Sequence, residues 1–159
     1  GEYPVEAAQA AARIAEVAEE RAGEFRRVAE TRRHPDEAAA VAHAAAQVAA
    51  GDPAVVAIAC FTRTGRTAAL LSSERPDTPV YAFIPDAGIR RGTALRWGVR
   101  SLPAGDPGDT DTMIALMERG LRDAGLAAEG DSVVMVASSP AGKVHTNMLK
   151  VHQVGEIAG

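Results

Sequence analysis

The chain has 159 residues, 47% of them hydrophobic and 24% charged, with a formal net charge of -4. That length suits one compact domain with its own core, and the near-average composition excludes disordered, collagenous and coiled-coil chains. No apolar run reaches the ~20 residues a bilayer span needs, no basic-then-apolar leader opens the chain, and the mild negative balance offers no broad attraction to nucleic acid or anionic membrane.

Cys60 is the only cysteine, so no internal disulfide can form, and a cytoplasmic location is expected. The only lysines are Lys143 and Lys150, and alanine is abundant wherever a helix is plausible. Both features fit a GC-rich coding bias. The chain opens Gly1-Glu2-Tyr3 without an initiator methionine, as a fragment or a processed protein would.

Pro4 suits the first turn of a helix, and Glu2 and Glu6 favour its positive end. A helix is predicted over residues 4–32, with Ile14, Val17, Phe25 and Val28 partly at helical spacing. Its six Glu and six Arg between Glu6 and Arg33 read as a solvated face. His34-Pro35-Asp36 breaks it, and a second, alanine-rich helix follows over 35–49, stopped by Gly51-Asp52-Pro53.

Val55 to Cys60 is apolar without alternation, as in a strand buried on both faces of a parallel sheet. After Thr62–Thr67 a helix runs to about Ser73. Then come a strand at 79–83, a helix at 89–97, a strand at 99–102 and a helix at 109–124 stopped by Gly125. Strands at 132–137 and 147–154, joined by a short loop, close the chain. In the last one Met148, Lys150 and His152 alternate with Leu149, Val151 and Gln153, which suggests an edge strand with one wetter face.

Alternating units imply a mostly parallel sheet with helices on both faces, and so short a final loop makes the last pair antiparallel. The predicted fold is therefore a three-layer αβα sandwich around a five-stranded sheet, in residues 34–159, preceded by a helical segment in residues 1–33.

Thr62-Arg63-Thr64-Gly65-Arg66-Thr67 is the segment richest in chemistry. It follows a buried strand and opens a helix, at the edge where α/β sheets collect ligands. A helix N-terminus offers free amides and partial positive charge to an anion. Three hydroxyls, two guanidinium groups and a glycine complete a phosphate cradle. The same residues are also what a capped helix with surface arginines would show. Ser138 to Asn147, with Gly142, Lys143, His145 and Thr146, should lie on the same edge, either as part of that site or as an ordinary hairpin loop.

The remaining candidates are weaker. His34, His43, His145 and His152 lack metal-ligand spacing. Among Asp106, Asp109 and Asp111, the last two read as a helix cap and a first-turn residue. Cys60 and Trp97 read as core and packing. No nucleophile elbow, Walker loop or GxGxxG motif is present.

Several segments, in order, resemble the C-terminal domain of pyruvate kinase. Gly1 to Ala7 is similar to the start of that family's last barrel helix. Ala57 to Ala69 resembles its first C-domain strand and Thr-x-Ser/Thr-Gly-Arg-Thr/Ser-Ala loop. Glu74-Arg75-Pro76, Leu95 to Val99, Gly130 to Val134 and Thr146 to His152 continue the series.

The resemblance implies a regulatory and assembly domain without catalytic residues of its own. The family's catalytic lysine, metal-binding carboxylates and substrate arginines have no positions here, so this piece alone should not transfer phosphoryl groups. Mg and K are implied only for the barrel of the parent enzyme, and no cofactor for this chain.

By the same resemblance Thr62, Arg63, Thr64, Gly65, Arg66 and Thr67 would hold the phosphate of an effector, a sugar phosphate or a nucleotide monophosphate. Ser138, Gly142, Lys143, His145 and Thr146 would belong to the loop closing over it. That loop departs from the family where Val144-His145 replace a glycine and one residue is missing, which leaves the effector's identity open. The resemblance further implies a homotetrameric parent, with the strand 147–154 as a self-association edge. A free-standing phosphometabolite-binding protein and a pure assembly module are the alternatives.

Overall fold

The computed structural model describes residues 2–21, 36–138 and 146–156. The chain divides into two compact units, residues 1–33 and 34–159. In the first, Pro4–Arg21 forms helix α1, with Pro4 at its first position and Glu6 in its first turn. The expected continuation to residue 32 lies outside the described residues.

The second unit begins with α2, Glu37–Gly51. Asp36 caps it, its carboxylate accepting the Ala39 amide at 3.0 Å, one of the donors a helix start leaves unpaired. Strand β1 (Val55–Phe61), helix α3 (Arg66–Glu74), strand β2 (Val80–Ile84), helix α4 (Ala87–Thr93) and strand β3 (Val99–Pro103) follow. Helix α5 (Thr110–Asp123) and strands β4 (Ser132–Ala137) and β5 (Met148–Gln153) complete it.

The sheet order is β3-β2-β1-β4-β5, parallel throughout except for the antiparallel β4–β5 pair. Cys60 in the central strand stands beside Ala82 on one side and Val136 on the other.

The apolar, non-alternating strands have the burial that pattern demands. Val55, Ile58, Cys60, Val80, Ala82, Val134 and Val136 turn to one face, under Ala42, Ala45 and Ala49 of α2 and Ala68 and Leu71 of α3. The small alanines let α2 approach the sheet closely. Ala57, Ala59, Phe61, Phe83, Val133 and Met135 turn to the other face, under Met113, Ile114, Met117 and Leu121 of α5. Two cores back to back make the three-layer sandwich. Among the described residues no helix is long and apolar enough to cross a membrane.

One helix boundary differs from the sequence reading, and β5 shows which of its rows is the wetter. The helix expected at 89–97 is α4, shifted toward the N-terminus because Asp86 caps it by accepting the Ile89 amide at 2.8 Å. In β5, an edge strand with one wetter face as expected, the row of Met148 and His152 faces α5 and the wetter row is that of Val151 and Gln153. His152 is only 2% exposed, while Val151 on the opposite row is 48% exposed. Glu118 of α5 draws the imidazole inward.

Candidate functional site

Thr62 extends the line of β1, donating its amide to the Phe83 carbonyl at 3.1 Å. The chain then turns through Arg63, Thr64 and Gly65 into α3. Gly65 has φ +77°, a left-handed conformation that side chains other than glycine strain to adopt. Thr62 Oγ1 accepts the Gly65 amide at 3.1 Å, and Thr64 Oγ1 accepts the Arg66 amide at 3.4 Å. These two hydroxyls therefore fix the turn. The next first-turn amides, of Thr67 and Ala68, have no acceptor within the helix and stand at its positive end.

Parallel pairing of β1 and β4 brings the segment after β4 to the same edge. Thr67 and Thr146, each 3% exposed, share a 2.6 Å hydroxyl–hydroxyl hydrogen bond that ties the start of α3 to the chain entering β5. Thr62, Arg63, Thr64, Arg66, Thr67, Ser138 and Thr146 line one open depression, together with Phe61, Pro107 and Met113. Gly65 shapes the turn and does not line it. Gly142, Lys143 and His145 lie outside the described residues.

Both arginines of the turn are engaged. Arg63 forks onto Asp106, with Nε 3.1 and 3.2 Å from the two carboxylate oxygens and Nη2 2.5 Å from Oδ1. Its guanidinium also lies 5.6 Å from the Phe61 ring centroid. The hydrogen bond from Arg63 lowers the Asp106 pKa, and Asp106 in turn raises that of Arg63. Arg66 pairs with Asp36 Oδ2. The Ala39 amide is the main influence lowering the Asp36 pKa, and Arg66 adds to it. Asp36 thus joins the N-terminal ends of α2 and α3.

Sequence reasoning did not assign these carboxylates to the arginines. Asp36 showed only at a helix start and Asp106 only beside Asp109 and Asp111 in an acidic group. Their partners lie 30 and 43 residues away, beyond any local pattern.

Because the Asp36 pKa is lowered in the folded state, its stabilisation is present above the ordinary aspartate range and is lost as pH falls through the folded value. Asp36→Ala should lower the melting temperature by a few degrees at neutral pH. Asp36→Asn, which can still cap α2, should lower it less. Thermal denaturation followed by circular dichroism checks both.

Elsewhere the two described histidines serve as partners of carboxylates. His43 Nδ1 lies 2.8 Å from Glu74, and His152 Nε2 lies 2.6 Å from Glu118. Among the described residues no group of three or more His, Cys, Asp or Glu could hold a metal ion. Burial pushes the Cys60 thiol up to about 12, which removes it from thiolate chemistry.

Residues 39–152 match the family model described as pyruvate kinase, alpha/beta domain. The chain is 35% identical over 156 residues to a pyruvate kinase of Clostridium acetobutylicum, covering 97% of this chain and 33% of that protein. It is 34% identical over 160 residues to one of Agrobacterium vitis, covering 97% and 32%. With one of Lactococcus lactis it shares 29% identity over 154 residues, covering 97% and 31%. The chain thus spans about a third of the length of these curated relatives. With the five-stranded, mostly parallel sheet and its antiparallel last strand, these matches place the chain in the pyruvate kinase alpha/beta domain family.

Proposed function

We propose that the chain is the regulatory domain of a pyruvate kinase and binds the phosphoryl group of an effector at the Thr62–Thr67 turn. The parent enzyme would move a phosphoryl group from phosphoenolpyruvate to ADP, with Mg and K held in its barrel. This domain would supply the signal and the assembly contacts. The observation that carries the reading is the meeting of three features at one sheet edge. They are the hydroxyl-fixed turn, the open N-terminal end of α3, and Ser138 and Thr146 from the second loop.

A phosphate needs many donors within a small radius, and a helix start supplies them without the cost of ordering long side chains. Sugar phosphates and nucleoside monophosphates share that phosphoryl group. The reading does not choose among fructose 1,6-bisphosphate, glucose 6-phosphate, ribose 5-phosphate and AMP.

Titration calorimetry of the chain with these four ligands tests the proposal, run beside Arg63→Ala. Saturable binding of at least one, weakened in the variant, is expected. A folded chain that binds none of them contradicts it.

One observation favours an assembly role as well. β5 lies at the sheet edge, with no strand paired to its outer side among the described residues, and Val151 is half exposed. Self-association through β5 would be weakened by Val151→Lys, as read by sedimentation.

A further inference from the structure

The two arginines of the turn are not equivalent, and the difference lies in their carboxylate partners. Asp36 is committed twice, with Oδ1 on the Ala39 amide and Oδ2 on Arg66. Releasing Arg66 would disturb the cap of α2. Asp106 binds Arg63 alone among the described residues, from the exposed segment between β3 and α5. It can leave without breaking any other bond among the described residues.

We propose that Asp106 is an internal competitor for the anion site. It occupies the Arg63 fork until a stronger anion displaces it, and so sets which anions bind. This rests on the phosphate reading above and goes beyond it, because it assigns selectivity to one residue outside the turn.

The argument is one of exchange. A carboxylate ligand would trade one carboxylate on Arg63 for another and gain little. A phosphoryl group near neutral pH carries up to two charges and three acceptor oxygens, and it gains at the fork and at the free amides of α3 together. Asp106 therefore filters against carboxylate metabolites and admits phosphate monoesters. Held low by Arg63, Asp106 stays ionised throughout the neutral range and keeps competing there. Asp106 and Arg63 are both about half exposed, with side chains 59% and 49% accessible, so their bond is a modest one. Its removal should be read as a small, measurable gain in affinity.

The test is a backbone-amide NMR titration of the full chain with inorganic phosphate and with acetate. Ionic strength is held constant with chloride, at a pH where phosphate is mostly dianionic. For the native chain, phosphate should shift the amides from Gly65 to Ala68 and acetate should not. Asp106→Asn should bind phosphate more tightly by up to roughly fivefold, the upper end for a surface ion pair, and acetate should now register. Its melting temperature should stay close to the native value, which separates this effect from any loss of fold.

Phosphate binding that is unchanged or weaker in Asp106→Asn overturns the inference while leaving the phosphate reading intact. Phosphate shifts absent from the native chain and the variant alike overturn both.

Discussion

Glu118→Ala should destabilise the second unit by about 2–3 kcal/mol, the range for removing one partner of a largely buried, charge-assisted hydrogen bond. Glu118 holds three donors, two from β5 and the turn after it and one from its own helix. His152 Nε2 lies 2.6 Å from Oε2, and the Gly155 amide and Arg122 Nη1 reach Oε1 at 3.2 and 3.5 Å. A carboxylate only accepts, so the imidazole donates from Nε2. Nδ1 has no partner among the described residues and is fully buried. Without Glu118 both ring nitrogens would be buried and unpaired, and β5 would lose its tie to α5.

Burial pushes the Glu118 pKa up, but the bonds from His152 and Gly155 outweigh it, and the net shift is downward. A carboxylate lowered in this way stabilises fully above the ordinary glutamate range and loses that contribution as pH falls through its folded value. Urea denaturation at neutral and acid pH should therefore show the gap between the native chain and Glu118→Ala narrowing in acid. A gap that widens in acid, or no gap at neutral pH, would refute the clasp.

Gly120→Val should cost about 2–3 kcal/mol by overpacking the core beneath α5. A Cβ at residue 120 would stand 2.4 Å from Phe83 Cε1 and 3.1 Å from Cζ. Phe83 is 1% exposed in β2, within the cluster of Met113, Met117 and Leu121, so its ring has no free space to enter. Replacing glycine inside a helix usually gains up to about 1 kcal/mol, so a loss here isolates the steric effect. Chemical denaturation of Gly120→Val should show that loss, and Phe83→Leu in the same chain should recover part of it. A Gly120→Val variant as stable as the native chain would mean that α5 sits farther from β2 than described.

The contrast between these residues shows what was legible in the sequence. The strands at Val55–Phe61 and Ser132–Ala137 were readable because burial on both faces of a parallel sheet leaves continuous apolar runs. The Thr62–Thr67 turn was readable because a strand, a glycine and a helix start follow one another within a few residues. Gly120 was not singled out. A glycine inside a helical pattern carries no mark of the phenylalanine 37 positions earlier that demands it. The alternation at β5 did not say which row was buried, since the partner that fixes His152 lies on α5, 34 residues away. Asp36 and Asp106 share that difficulty. Each ion pair in the candidate site is a long-range contact set by topology, and sequence patterns report only local spacing.

The site at the Thr62–Thr67 turn is tested most directly by a crystal structure of the chain grown with a saturating phosphate monoester. The phosphoryl oxygens should lie within hydrogen-bond reach of the Thr67 and Ala68 amides at the start of α3, with Arg63 turned from Asp106 toward the ligand. A phosphate bound elsewhere on the fold, with the turn empty and the Arg63–Asp106 fork intact, would contradict the assignment.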